Sequence, residues 1–161
     1  MNIRPYSESD FEALTEVMAA FQDYIADLDP IRHTRAGDDF DAPAYLRIRT
    51  EEARKEGGLF LLALEQDKII GLISGRLVEV PEAGSLDEFV QKTGEVTELY
   101  VQQAHRGQKV GLALMQAAEE HFRSTGCAAL LVDCFAPNRS AHAFYERYGF
   151  TDRLITMRKE L

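Results

Sequence analysis

The chain has 161 residues, 45% hydrophobic and 28% charged, the size and composition of a single domain (residues 1–161) with a real core. Its net charge of −9 excludes a general nucleic-acid binder, which needs a basic face; the acidity suits a cationic partner or serves solubility alone. No apolar run approaches the ~20 residues that cross a bilayer, and Met1–Pro5 lacks a signal peptide's apolar stretch, so a soluble cytoplasmic protein with no membrane partner is expected.

Ile3 and Arg4 read as a short first strand, after which Pro5 turns the chain. Ser7 and Asp10 have the spacing of a helix N-cap box. Phe11, Leu14, Met18, Phe21, Ile25 and Leu28 then recur at helical steps as one apolar face, ended by Asp29-Pro30. A polar loop over 31–40 leads to a second predicted helix, Ala44 to Glu56, with Tyr45, Ile48 and Ala53 turned inward and Gly57-Gly58 as its stop. Leu59–Leu64 and Ile69–Val78 read as a hairpin, in which Gly71 and Gly75 mark bulges or close backbone approach. A polar connection from Pro81 to Lys92, containing Gly84, precedes a strand over Glu95–Val101. The loop Gln102–Lys109 opens a helix from Val110 to Thr125, with Val110, Ala113, Leu114, Ala117 and Ala118 inward and Gly126 as its stop. Ala129–Cys134 is the next strand, and strand, helix and strand make a parallel pair. A turn at 136–138, a short helix Ser140–Tyr148 and a last strand Phe150 to Lys159 complete the chain. The order β-α-α-β-β-β-α-β-α-β describes an α/β sandwich about one mixed sheet.

The loop before Val110 has the makings of an anion site. The first amides of a helix have no internal partner and carry the positive end of its dipole, so they hold a phosphate without side chains. Gly107 and Gly111 admit close approach, and Arg106 and Lys109 add charge. Neither a Gly-Lys-Ser/Thr loop nor the dinucleotide Gly-x-Gly-x-x-Gly is present. A plain strand-to-helix turn remains the other reading. Cys127 and Cys134 make no disulfide framework, and Cys134 reads as a core residue. His33, His105, His121 and His142 are scattered, so no metal is expected; His105 and His142 read as surface or structural residues.

Two segments together resemble a known family. Arg106-x-x-x-x-Gly111 after Leu99-Tyr100-Val101, and the downstream Asn138-Arg-Ser-Ala141-His-Ala-Phe144-Tyr145-Glu-Arg-Tyr-Gly149-Phe150, are similar to the signature of the GNAT superfamily of acetyl-CoA-dependent N-acetyltransferases. The opening Ile3-Arg4-Pro5 is similar as well. The element order matches along nearly the whole chain, and the likeness is specific from about Glu95 to Phe150. It implies a three-layer fold with a central mixed, mostly antiparallel, twisted sheet flanked by helices, and it points to a homodimer.

The resemblance also implies site roles. The backbone of Leu99, Tyr100 and Val101 would pair with the pantetheine arm of acetyl-CoA. Amides of Arg106, Gly107, Gln108, Lys109, Val110, Gly111, Leu112 and Ala113 would bind its pyrophosphate. Lys109 stands where the family has its first loop glycine; if φ is positive there, lysine costs about 1 kcal/mol. Asn138 would hydrogen-bond the pantetheine arm, or cap the helix that follows. Tyr145 would point at the sulfur and protonate the departing thiolate, as a phenol of pKa near 10 can; otherwise it is an aromatic core residue, like Phe144. Glu95 and Glu98 are the candidate bases, with Glu98 preferred and a water-mediated base as a further choice; period-two alternation puts them on opposite faces unless a bulge intervenes. Asp133 is a third acidic group for the cleft.

By the same resemblance, Tyr24–Tyr45 and Val80–Gly94 would shape the acceptor pocket. Asp23, Asp27, Asp29, Asp38, Asp39, Asp41, Glu82, Asp87 and Glu88 in those stretches favour a cationic amine. The expected function is acetyl transfer from acetyl-CoA to a primary amine, a small cationic one. The alternatives are a protein N-terminal or lysine acetyltransferase, a non-catalytic acyl-CoA sensor, or an interaction domain without cofactor.

Overall fold

The two continuous apolar runs become the centre of the sheet, because both of their faces are covered. In the computed structural model, which describes residues 1–78, 86 and 89–161, they are β2 (Leu59–Glu65) and β3 (Lys68–Leu77), buried along almost their whole length. Gln66 and Asp67, at φ 49° and 62°, make the left-handed turn of this hairpin. β1 (Asn2–Pro5) lies antiparallel on the outer side of β2, where Pro5 at an edge costs no ladder bond. β4 (Thr93–Val101) lies antiparallel to β3, and β5 (Ala129–Val132) lies parallel to β4, so the sheet order is β1-β2-β3-β4-β5. The predicted glycine roles in β3 hold: a Cβ on Gly71 would meet the Tyr100 carbonyl oxygen at 2.9 Å, and the register shifts between Ser74 and Gly75.

Helices cover both faces. α1 (Phe11–Leu28) and α2 (Ala42–Arg54) enclose one core, in which Leu14, Met18, Phe21 and Leu46 pack on Phe60, Leu62, Leu72 and Tyr100. α3 (Val110–Ser124) and α4 (Arg139–Tyr148) cover the other face, where Leu114, Met115 and Phe122 pack on Ala63, Ile73 and Val96. The expected cap box is present, with the Ser7 N–H donating to Asp10 Oδ2 at 2.8 Å. Arg4 donates to both oxygens of the same carboxylate at 2.7 Å, tying β1 to the start of α1.

The inner face of α2 differs from the expectation. Ile48 is 55% exposed, and the core stripe runs through Ala42, Leu46 and Thr50. Leu46 and Ile48 project from opposite sides of the helix, so only one can meet the sheet. Met115 and Phe122 join the predicted inner face of α3. The last expected strand does not form: after Phe150, residues 151–161 are exposed and in no ladder. Alternation supplies a strand's faces, but a strand also needs an edge to pair with. Of the predicted Pro81–Lys92 connection and Val80–Gly94 pocket segment, residues 79–85, 87 and 88, among them Glu82, Gly84, Asp87 and Glu88, lie outside the described residues. No described helix is long and apolar enough to cross a membrane.

Candidate active site

β4 carries the site, and an irregularity in it decides which side chains meet. Gly75 pairs with Val96 and Ser74 pairs with Glu98, so Thr97 is an extra, bulged residue. The consequence is visible in the packing. Val96 belongs to the core under α3, whereas Tyr100, four residues on, belongs to the core under α1 and α2. The bulge therefore brings Glu95 and Glu98 to the same side, toward α2, and not to opposite faces as plain alternation would have it.

There the two carboxylates are ends of one chain of charges. Arg76 Nε donates to Glu95 Oε2 at 2.8 Å, and Arg76 Nη1 to Glu52 Oε1 at 3.3 Å. Arg49 Nη1 donates to Glu52 Oε2 at 2.6 Å, while its Nε lies 3.1 Å from Glu98 Oε1 without the alignment of a hydrogen bond. The Tyr45 hydroxyl donates to the same Glu98 oxygen. Glu98 is 5% exposed. Burial raises its carboxyl pKa above the ordinary value, while Tyr45 and Arg49 pull the other way. Burial and the Glu98 charge together push the Tyr45 phenol up to about 12.

The strand parts from its neighbour at the same place. β4 and β5 pair only over Thr93–Val96 and Ala129–Val132. Beyond the bulge, Leu99, Tyr100 and Val101 pair with β3 alone among the described residues, leaving a wedge between β4 and β5. α4 closes one side of it and brings Tyr145, which packs edge-on against Phe144 and Phe150. Burial raises the Tyr145 pKa, and the nearby Cys134, Asp133 and Glu98 raise it further. Tyr145, Asp133 and Glu98 thus share one electrostatic neighbourhood.

The loop that follows β4 turns into α3 through two residues in the left-handed region. Gly107 and Lys109 both have positive φ, 77° and 64°. Lys109 is the residue before α3 and lies in the left-handed region, a conformation that glycine adopts at less cost. The first helical bond runs from the Ala113 N–H to the Lys109 carbonyl at 3.0 Å, so the amides of Val110, Gly111 and Leu112 precede the helix's own ladder. A Cβ on Gly107 would meet nothing within 4 Å, and one on Gly111 nothing nearer than 3.6 Å, so the backbone is open to approach. Gln108 turns its side-chain amide back to the Ala104 carbonyl at 3.0 Å.

Arg106 is not directed at this opening. Its Nε donates to the Val101 carbonyl at 3.0 Å and its guanidinium lies over the Tyr24 ring, 4.3 Å from the centroid. Asn138 caps α4: its Oδ1 accepts from the Ala141 N–H at 3.2 Å. His105 lies 3.7 Å from Glu65, and His142 lies 2.8 Å from Asp152, both outside the wedge chemistry. Cys127 and Cys134 are both free. Several acidic residues assigned to the acceptor region hold the backbone there. Asp29 accepts from the N–H groups of Ile31, His33 and Thr34, Asp23 from Gly37, and Asp41 from Ala44.

The residues that sequence reasoning missed are Arg49, Glu52 and Arg76, with Tyr45 read only as an inner position. Tyr45, Arg49 and Glu52 recur at i, i+4 and i+7 on α2, so a polar stripe on a helix that must cover a sheet was their signal.

Comparison with known proteins agrees with this architecture. The family model described as Acetyltransferase (GNAT) family matches residues 18–150. The chain is 26% identical over 114 residues to glucosamine 6-phosphate N-acetyltransferase of Arabidopsis thaliana, covering 69% of this chain and 72% of that one. It is 31% identical over 103 residues to aminoalkylphosphonate N-acetyltransferase of Salmonella typhimurium, covering 63% and 62% of the two chains. The fold superposes on the BH1408 protein of Bacillus halodurans with a TM-score of 0.85 at 20% identity, over 100% of this chain and 99% of that one. With a parted β4–β5 pair, a left-handed turn into α3 and the family's pattern along most of its length, the chain belongs to the GNAT acetyltransferases and is an acyltransferase enzyme.

Proposed function

We propose that residues 1–161 form a single catalytic domain that moves an acetyl group from acetyl-CoA to the primary amine of a small molecule. The observation that carries this reading is the wedge: Leu99–Val101 facing no second strand among the described residues, amides at the start of α3 that precede its ladder, and Tyr145 and Glu98 within one electrostatic neighbourhood. These groups fit the co-substrate. The amides from Arg106 to Ala113 suit a diphosphate, and the open side of β4 suits an amide-bearing arm. Acetyl-CoA, when bound, supplies an activated thioester carbonyl. Glu98 takes a proton from the acceptor ammonium, directly or through water, leaving the amine neutral for attack. Tyr145, kept protonated by its surroundings, gives its phenolic proton to the departing sulfur. Asp133 adds negative charge that attracts a cationic acceptor.

A cationic acceptor is supported by Asp133 and by the negative charge left over where Glu95, Glu52 and Glu98 face only Arg76 and Arg49, more than by Asp23, Asp29 and Asp41, which are engaged with backbone. The relatives named above act on amines that carry phosphate or phosphonate, so the decisive panel includes both kinds. Free-thiol release from acetyl-CoA, measured with polyamines, aminoglycosides, lysine peptides and phosphorylated amino sugars, is expected to be fastest with a small cationic amine. Turnover confined to neutral or anionic amines would remove the cationic part of the proposal. Calorimetry showing no binding of acetyl-CoA would remove all of it. The two free cysteines suit a reducing compartment, in keeping with a cytoplasmic enzyme.

A further inference from the structure

The two oxygens of the Glu98 carboxylate are in different situations. Oε1 accepts from the Tyr45 hydroxyl and lies 3.1 Å from Arg49 Nε. No described group donates a hydrogen bond to Oε2. One oxygen is thus held by α2, and the other is left for an incoming group.

The holding group is itself held. Tyr45 stands in the first turn of α2, where its N–H donates to the Asp41 carbonyl at 2.9 Å. Its ring packs against Phe40, with 5.3 Å between centroids, and the Arg49 guanidinium lies over it at 4.8 Å. Arg49 is anchored in turn on Glu52 at 2.6 Å, while its buried Nε has no aligned acceptor and acts on Glu98 through charge. β4 supplies only the starting point. The Ser74 and Thr97 hydroxyls, 2.9 Å apart, hold the bulge from which the Glu98 side chain leaves the strand. The torsions beyond the Glu98 Cα are left to α2.

A carboxylate that takes a proton must present one oxygen to the atom that gives it up, and a long side chain keeps such a geometry only when its surroundings lock it. We propose that Tyr45 is the positioning residue of the proton-transfer step: by occupying Oε1 it keeps Oε2 of Glu98 presented to the acceptor amine. This inference rests on the reading of Glu98 as the base. The other groups that face Glu98 leave the task to Tyr45. Ser74, its neighbour on β3, is engaged with Thr97. Asp133 beyond β5 and Tyr145 on α4 interact with it through charge alone. A Tyr45 contact also links the base to the helix that follows the acceptor-shaping segment.

The hydroxyl has a second effect, which gives the test its readout. Tyr45 and Arg49 favour the ionised form of Glu98, whereas burial and Asp133 favour the acid. Deleting the hydroxyl makes Glu98 easier to protonate, so the acid limb of kcat/KM should move to higher pH.

Tyr45→Phe keeps the ring contacts with Phe40 and Arg49 and removes only the hydroxyl. It should lower kcat by about 10–10²-fold and leave KM for acetyl-CoA unchanged. The Glu98 carboxyl signal, identified by nuclear magnetic resonance in protein carrying isotope-labelled glutamate as the one that Glu98→Gln removes, is titrated in the native and Tyr45→Phe proteins. This readout is independent of turnover. A Glu98 titration and an acid limb that rise together, with lowered kcat, are the expected result. A titration that Tyr45→Phe leaves unmoved overturns the positioning role, as does native kcat in that variant. A titration that rises while the acid limb stays in place takes Glu98 out of the base role, and so overturns the catalytic reading together with this inference. Arg49→Lys keeps the charge and the Tyr45 hydroxyl, so it should lower kcat less than Tyr45→Phe does; a larger loss would hand the role to Arg49 and overturn the assignment to Tyr45.

Discussion

Tyr145 keeps its proton more tightly than a free phenol, because burial and then the neighbouring Cys134, Asp133 and Glu98 disfavour its anion. Across the physiological range it is therefore a donor. Tyr145→Phe keeps the ring packing and removes the proton, so kcat should fall by about 10²–10⁴ while calorimetry finds acetyl-CoA affinity unchanged. Unchanged turnover would return Tyr145 to the role of a core aromatic. The two glutamates are separable in the same way. Glu98→Gln should lower kcat by about 10²-fold or more, and Glu95→Gln by no more than a few-fold. In the native enzyme the acid limb of kcat/KM should lie above the ordinary carboxylate value of 4.5, since Glu98 must lose a proton that burial helps it keep. Glu98→Gln should abolish that limb, and its survival would assign it elsewhere. Tyr145 stands out in the sequence because a tyrosine four residues before Gly149-Phe150 sits within a specific motif, and its place in the fold, packed on Phe144 and Phe150, follows from the short helix that the motif encodes. Arg49 left only the polar stripe of α2 as a trace, and Arg76 left none, because its contacts join β3 to Glu52 on α2 and Glu95 on β4 and no local pattern encodes them.

At the scale of elements, the turn into α3 carries a conformational cost of its own. Lys109 has φ 64° where a side chain is disfavoured. Lys109→Gly should relieve about 1 kcal/mol and raise Tm by about 2–4 °C in a thermal melt. A lower Tm would mean that the lysine side chain contributes more than its backbone costs. The elements themselves were largely readable. α1, the β2–β3 hairpin and α3 follow strong periodic or continuous apolar patterns bounded by caps and glycines, and their boundaries fall within a residue or two. α2 was harder, because it offers little apolar surface per turn and Leu46 competes with Ile48 for the sheet. The terminal strand was misread because alternation alone does not make a strand, and residues 151–161 join no ladder.

For the molecule as a whole, one partly buried ion pair joins the first strand to the first helix. Hydrogen bonds from Arg4, and then from the Ser7 amide and hydroxyl, outweigh burial and hold the Asp10 carboxyl at about 2, below its ordinary 3.8. A carboxyl with a lowered folded pKa stabilises the fold above its unfolded value, and that stability is lost as pH falls through about 2. With solvent screening allowed for, Asp10→Ala should cost on the order of 1–2 kcal/mol at neutral pH and nearly nothing at pH ~2, as urea titrations at the two pH values would register. Equal costs at both would show that the carboxylate's charge is immaterial.

Thr97 has a consequence out of proportion to its size. Before it, even-numbered side chains of β4 face α3; after it, they face α2. A regular strand that kept Thr97 in the ladder would hold a single parity from Val96 onward and turn the Glu98 carboxylate in among Leu114 and Ala118. The acidic group would then sit in hydrocarbon across the sheet from Tyr45 and Arg49, so one irregularity in β4, as much as the identity of its residues, sets where that charge lies.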